Sequence, residues 1–67
     1  MTNTETYYYI EVRDVTNPDS EWSRYEGRTY DSLDLAKRQV ADRKEMFRIY
    51  DFAARIVKAA ITTEVIA

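Results

Sequence analysis

The sequence predicts a small α+β domain with the element order ββαβ, in which a three-stranded antiparallel sheet of strand order 2-1-3 packs on one helix. Three observations lead to this fold class. An aromatic segment near the N-terminus alternates apolar and polar residues, a helix-start signal follows Tyr30, and β-branched residues crowd residues 56–66. Because the chain has 67 residues, we expect a single domain, 1–67, with a small core.

The first strand is predicted from residue 7 to Asp14, after a polar segment, residues 1–6, that is expected to fray. Side chains alternate across a strand with period two. One face should therefore pack against the helix, and the other should stay open, as antiparallel sheets allow. The helix face is assigned Tyr8, Ile10 and Val12, and the open face Tyr7, Tyr9, Glu11 and Arg13.

The second strand is predicted over residues 21–30, at the edge of the sheet, after a hairpin loop at residues 15–20 that is rich in turn-forming residues. Trp22 and Tyr25 cannot share a face in a regular strand. We therefore expect either a bulge near Gly27 or unequal burial of the two aromatic rings. The sequence alone leaves the burial of Trp22 open.

The helix start carries several signals at once. Asp31 is predicted as the N-cap, with Asp34 three residues later as the reciprocal acid of a capping box. Tyr30 and Leu35 then occupy the positions of a hydrophobic staple. The amphipathic pattern predicts that the helix continues to residue 49 or 50.

Residues 51–66 admit two interpretations. Apolar residues continue at heptad spacing from the helix, so one long helix forming a coiled-coil dimer fits the pattern. Against it, Val57, Ala59 and Ile61 alternate with polar or small residues, and β-branched residues are frequent. We favour a third strand, because a lone two-stranded hairpin is only marginally stable in water.

Composition argues against most catalytic and membrane functions. The chain has no cysteine and no histidine, which removes disulfides, the usual zinc ligands and the common nucleophile and base arrangements. The formal net charge is −2, with both signs interspersed, so no basic surface for nucleic acid is indicated. No apolar stretch is long enough to span a membrane, and no signal peptide is recognised. We expect a cytoplasmic protein that is not an enzyme, has no membrane partner and needs no cofactor.

One loop superficially matches a calcium-binding pattern. Asn17, Asp19 and Glu21 stand at alternate positions, but Trp22 and Arg28 occupy the places where such a loop requires glycine and glutamate. No metal site is predicted.

Three segments resemble those of the short, uncharacterised ββαβ proteins that bacteriophages and prophages encode. They are Glu11-Val12-Arg13-Asp14, Tyr30-Asp31-Ser32-Leu33 leading into Ala36-Lys37-Arg38, and Arg55-Ile56-Val57-Lys58 leading into Thr62-Thr63-Glu64-Val65-Ile66. The resemblance implies a phage or prophage origin and supports the third strand. It transfers no catalytic residue, and it implies a small protein that binds and modulates a host protein.

Nine aromatic residues exceed what so small a core can bury, and Tyr, Trp and Arg are the residue types enriched at interface hot spots. The predicted partner-binding residues are Tyr7, Tyr9, Arg13, Trp22, Arg24 and Arg28. We expect the chain to bind and modulate a host protein through its open sheet face or an exposed edge strand, or to pair with a second copy as a homodimer. The alternative is a module that binds nucleic acid or sequesters a small nucleotide through the same Tyr and Arg side chains. A third hypothesis is a minor virion or assembly component.

Overall fold

The computed structural model describes residues 2–64 and shows a three-stranded sheet with two helices. Met1 and residues 65 and 66 of the predicted third strand lie outside the described residues. In chain order the elements are β1 (Thr2–Asp14), β2 (Ser23–Arg24), α1 (Leu33–Asp42), α2 (Lys44–Ile49) and β3 (Phe52–Glu64).

The sheet has the predicted strand order, β2-β1-β3, and both pairings are antiparallel. The third strand is confirmed, and the long-helix interpretation is wrong, since β3 pairs with β1 along its whole length from Asp14↔Phe52 to Thr2↔Glu64. The aromatic first strand therefore lies in the middle of the sheet. Its backbone groups are satisfied by neighbours on both sides only in its second half, because β2 is short.

β1 begins at Thr2, so residues 2–6 are not a frayed segment as the sequence predicted. They continue the β1–β3 ladder with residues 60–64. The polar character of these residues is explained by their exposure, because the side chains of Thr4, Glu5 and Thr6 are all exposed. A polar segment in a strand pairs as well as an apolar one when neither face has to be buried.

The predicted second strand, residues 21–30, is mostly irregular. Only Ser23 and Arg24 form a regular ladder with β1, and a single bridge at Tyr30 rejoins β1 at Tyr8. The backbone between them bulges outward, with positive φ at Glu26 (59°) and Gly27 (65°). The irregularity thus falls at Gly27, where a residue without a Cβ tolerates the left-handed region.

The predicted single helix is two helices that meet at Arg43, which has non-helical backbone angles. The first helix is capped by Ser32, whose Oγ accepts a hydrogen bond from the Leu35 amide at 3.2 Å. The predicted Asp31 cap and its capping box with Asp34 are therefore wrong by one residue. The staple is wrong for the same reason, and Leu35 is 43% exposed.

The core is small and lies between β1 and the helices. Ile10 and Val12 are buried at 1% and 8% exposure and pack against Phe47 of α2, which is 3% exposed. The prediction that Ile10 and Val12 face the helical layer is confirmed. Tyr8, also predicted on this face, is only partly buried. Phe52 of β3 is partly buried as well and packs against the core.

The molecule is elongated, because the β1–β3 ladder runs past the helices and β2. Its principal dimensions are 51 × 26 × 13 Å and its radius of gyration is 15.0 Å, whereas a compact chain of this length would have about 11 Å. Residues 2–7 and 59–64 form a two-stranded ribbon, which we call the β-arm, beyond the isolated bridge between Tyr8 and Tyr30.

Candidate protein-binding surface

The face of the sheet opposite the helices carries the predicted aromatic and basic side chains. Since Ile10 and Val12 point to the core, the alternating residues of β1 point away from it. The antiparallel register adds the matching residues of the flanking strands, because directly paired residues share a face. The surface, called the open face below, consists of Tyr7, Tyr9, Glu11, Arg13, Trp22, Arg24, Ala53, Arg55, Val57 and Ala59.

Tyr9 lies at the centre of this face and is covered in part by a guanidinium. The Cζ atom of Arg24 lies 4.0 Å from the centroid of the Tyr9 ring, well within the range of a cation–π contact. The ring of Tyr7 lies 6.3 Å from the Tyr9 ring, with 33° between the planes. Both tyrosines are only partly buried, so their rings remain partly accessible to a partner.

A second cluster on the open face joins β1 and β3 to Trp22, the residue immediately before β2. Arg55 on β3 donates from Nε to Glu11 Oε1 at 2.9 Å, and its Nη2 lies 2.8 Å from the same oxygen. Its Cζ also lies 4.2 Å from the centroid of the Trp22 ring. One guanidinium therefore neutralises the carboxylate and covers one side of the indole, which is partly buried.

Two of the predicted residues make their polar contacts outside the Tyr9 and Trp22 clusters. Arg13 donates from Nε to the carbonyl oxygen of Ser20 at 2.9 Å, which ties its side chain to the hairpin loop. Arg28 lies in the bulged loop, 4.0 Å from Glu26 Oε2. Glu26 in turn lies 3.4 Å from Arg43 at the helix junction, so Arg28 belongs to the helix side of the edge. The structure thus places Tyr7, Tyr9, Trp22 and Arg24 on one face, ties the side chain of Arg13 to the hairpin loop and leaves Arg28 apart.

Sequence reasoning missed Arg55 and Val57. They join the open face because β3 pairs Arg55 with Glu11 and Val57 with Tyr9. Because Arg55 and Val57 are two positions apart, a strand places them on the same face. The spacing does not show which residues of β1 lie opposite them. That information is the strand register, which is fixed only once the β1–β3 ladder is formed.

The hairpin loop is held by its own side chains. Asp14 Oδ1 accepts hydrogen bonds from the Thr16 hydroxyl at 2.6 Å and from the Thr16 amide at 2.9 Å. These bonds, the hydroxyl first, hold the pKa of the Asp14 carboxyl below its ordinary value of 3.8. Asn17 Oδ1 accepts from the Asp19 amide at 3.0 Å, an Asx turn. Among the described residues, no three acidic side chains converge in a way that could hold a metal ion.

A shallow apolar groove lies on the opposite side, between the helices and β3. Val40, Phe47, Phe52 and Ala54 line it, and charged side chains of α2 stand at its rim. Two of those rim charges, Glu45 and Arg48, are already paired with each other. The groove is therefore an accessible surface of the core, and its lining includes none of the predicted partner-binding residues.

Within residues 2–64, neither helix has the length and apolarity needed to cross a bilayer.

Comparisons with known protein families, with curated proteins and with solved structures gave no match to this chain. The resemblance to phage-encoded ββαβ proteins stays a prediction, and the function proposed next rests on the surface itself.

Proposed function

We propose that the protein is a non-enzymatic binding module that uses its open face to bind and modulate another protein. In the setting that the phage resemblance implies, the partner is a host protein in the cytoplasm of the infected cell. The observation that carries the proposal is a pair of arginine–aromatic contacts on the same face of the sheet. Arg24 lies over the Tyr9 ring, and Arg55 lies over the Trp22 ring. These are the residue types that dominate protein interfaces.

The arginine side chains of this arrangement already have partners within the chain. Arg55 is held by Glu11, and Arg24 is held by the Tyr9 ring. Arginine side chains lose considerable rotamer freedom when an interface forms. Holding them in place beforehand lowers that cost, so contacts made by these side chains contribute more of their energy to affinity.

Nucleic-acid or nucleotide binding is the second candidate, and one observation favours it. Arg24 forms no ion pair with a carboxylate among the described residues, so its charge is open to a phosphate. However, Arg24 already covers the Tyr9 ring, which would otherwise serve as a stacking platform for a base. Glu11 and the net charge of −2 further weaken attraction to phosphates. We therefore place protein binding first.

The test is capture of partners from a bacterial lysate by the tagged protein, with paired tyrosine variants as controls. Tyr9→Ala should remove a specific partner, because it deletes the central ring of the open face. Tyr50→Ala is the matched control, since Tyr50 is 61% exposed and follows α2 on the helical side. For the purified partner, calorimetry should show Tyr9→Ala binding weaker by roughly 1–3 kcal/mol.

Circular dichroism of both variants establishes that each is folded. Equal binding by wild type and Tyr9→Ala would show that the open face is not part of the interface. A salt titration then separates the two candidates, because phosphate-driven binding weakens steeply with ionic strength and an aromatic protein interface responds little.

A further inference from the structure

The outer edge of β3 is long, unpaired within residues 2–64 and rich in strand-forming residues. β3 runs for 13 residues, and its only ladder is with β1. Such an edge presents a row of free N–H and C=O groups that readily pair with another strand. The β-arm also favours pairing with another strand, because a two-stranded ribbon is marginally stable in water.

The residues whose backbone groups point outward can be identified. Tyr8 exchanges backbone hydrogen bonds with Tyr30 on the β2 side, at 2.8 and 2.7 Å. Along a strand with neighbours on both sides, successive residues direct their backbone hydrogen bonds to alternate neighbours. Tyr9, and every second residue counted from it, therefore bonds to β3. Their β3 partners, such as Val57, then bond inward. The outward-facing residues of the exposed part of β3 are Lys58, Ala60, Thr62 and Glu64.

Charge selects the register in which a second copy would pair. With a two-fold axis at Ile61, Lys58 of one copy lies directly opposite Glu64 of the other, and the same pair recurs by symmetry. Opposite charges placed directly across a pair of strands stabilise it, whereas like charges destabilise it. A two-fold axis at Lys58 would place the Lys58 side chains of the two copies directly opposite each other, so this register is disfavoured. No other regular antiparallel register within the described part of β3 matches these two charges.

The helices do not obstruct this pairing. They pack on Ile10, Val12, Phe52 and Ala54, whereas the paired segment begins at Lys58. The axis also brings Ile61, which is 48% exposed, against its own symmetry mate on the side of the sheet opposite the helices. About eight backbone hydrogen bonds would form between the two edges.

From this edge we infer that two copies of the chain associate by antiparallel pairing of residues 58–64 of β3, giving a continuous six-stranded sheet of order 2-1-3-3-1-2. The interface is the β3 edge and not the open face, so this inference stands apart from the proposed function. The two open faces come to lie on the same side of the combined sheet, since the two-fold axis is perpendicular to it.

A charge-swap series tests the register. Sedimentation equilibrium at low ionic strength should show wild-type dimers, and Lys58→Glu or Glu64→Lys alone should weaken association about tenfold or more. Combining both substitutions in one chain restores opposite charges across the interface and should recover dimerisation. A wild type that stays monomeric up to about 1 mM, unaffected single variants, or a double variant without recovery would each overturn the inference.

A cross-linking experiment tests the same axis independently. The chain has no cysteine, and directly opposed residues of a pair without mutual hydrogen bonds come close enough for a disulfide. Ile61→Cys should therefore form a covalent dimer rapidly on mild oxidation, while Asp34→Cys on exposed α1 serves as the control. Equal rates of disulfide formation for the two variants would contradict a two-fold axis at Ile61. Tyr9→Ala should leave dimerisation unchanged, and its loss would point to pairing of open faces instead.

Discussion

Arg55 orders the open face through two contacts made by one guanidinium, the ion pair with Glu11 and the stacked contact with Trp22. Glu11 has a side chain that is only 17% exposed, so removing Arg55 leaves a carboxylate with reduced hydration and without the cation that pairs with it. The indole also loses the group that covers it. Arg55 therefore both neutralises Glu11 and covers the indole ring of Trp22 on the open face.

Replacing Arg55 with Ala should expose Trp22 to water. Because Trp22 is the only tryptophan, its fluorescence reports on this site alone. We expect a red-shifted emission maximum and stronger quenching by acrylamide in Arg55→Ala. Arg48→Ala is the control, since Arg48 pairs with Glu45 on α2. An Arg55→Ala spectrum identical to that of wild type would show that the stacked contact is absent in solution.

Periodicity was sufficient to place single residues of the central strand. Ile10 and Val12 lie inside and Tyr7 and Tyr9 outside, as alternation predicted. It was insufficient for Arg28, whose direction depends on the bulged loop, where the positive φ angles of Glu26 and Gly27 interrupt the alternation of a strand. Loop conformations of that kind depend on contacts distant in sequence, here the pairing of Glu26 with Arg43.

At the scale of elements, the start of α1 shows how closely competing caps can lie. Asp31 and Ser32 are both good N-cap residues, and the sequence offers each a plausible first turn. The structure selects Ser32, whose hydroxyl accepts from the Leu35 amide. Choosing between neighbouring caps requires the position of the preceding chain, which is fixed by the Tyr8–Tyr30 bridge.

Substitution at the two positions should therefore have unequal effects on stability. Ser32→Ala should lower the free energy of unfolding by about 1 kcal/mol, because one amide of the first turn loses its acceptor. Asp31→Ala should change it by less than about half of that amount. Urea unfolding followed by circular dichroism measures both values. A larger loss of unfolding free energy for Asp31→Ala than for Ser32→Ala would show that Asp31 is the N-cap, as the sequence predicted.

The division of the helix at Arg43 and the shortness of β2 were not accessible from sequence. No proline or glycine marks the helix break. Arg43 instead bonds Gln39 on α1 and reaches Glu26 in the bulged loop, contacts that exist only in the folded chain. The third strand was accessible, because β-branched residues at alternating positions outweighed the heptad spacing that a long helix would require.

At the scale of the whole molecule, the buried core and the exposed part of the β3 edge lie at different ends of the sheet. The core is confined to the end covered by helices, around Ile10 and Phe47, whereas the β-arm extends away from it without a covering layer. A ribbon of this kind gains most from a neighbouring strand. Pairing of two β3 edges would supply that neighbour and would double the area of open face presented to a partner.

The most direct test of the account is nuclear magnetic resonance of the labelled protein with and without its captured partner. The side-chain Nε–Hε signals of Arg24 and Arg55 and the ring signals of Tyr9 report on the open face itself. We predict that these signals shift or broaden on binding, while the signals of α1 and the Tyr50 ring stay in place. Changes confined to α1, α2 and the groove beside Phe47, with the open-face signals unmoved, would contradict the account.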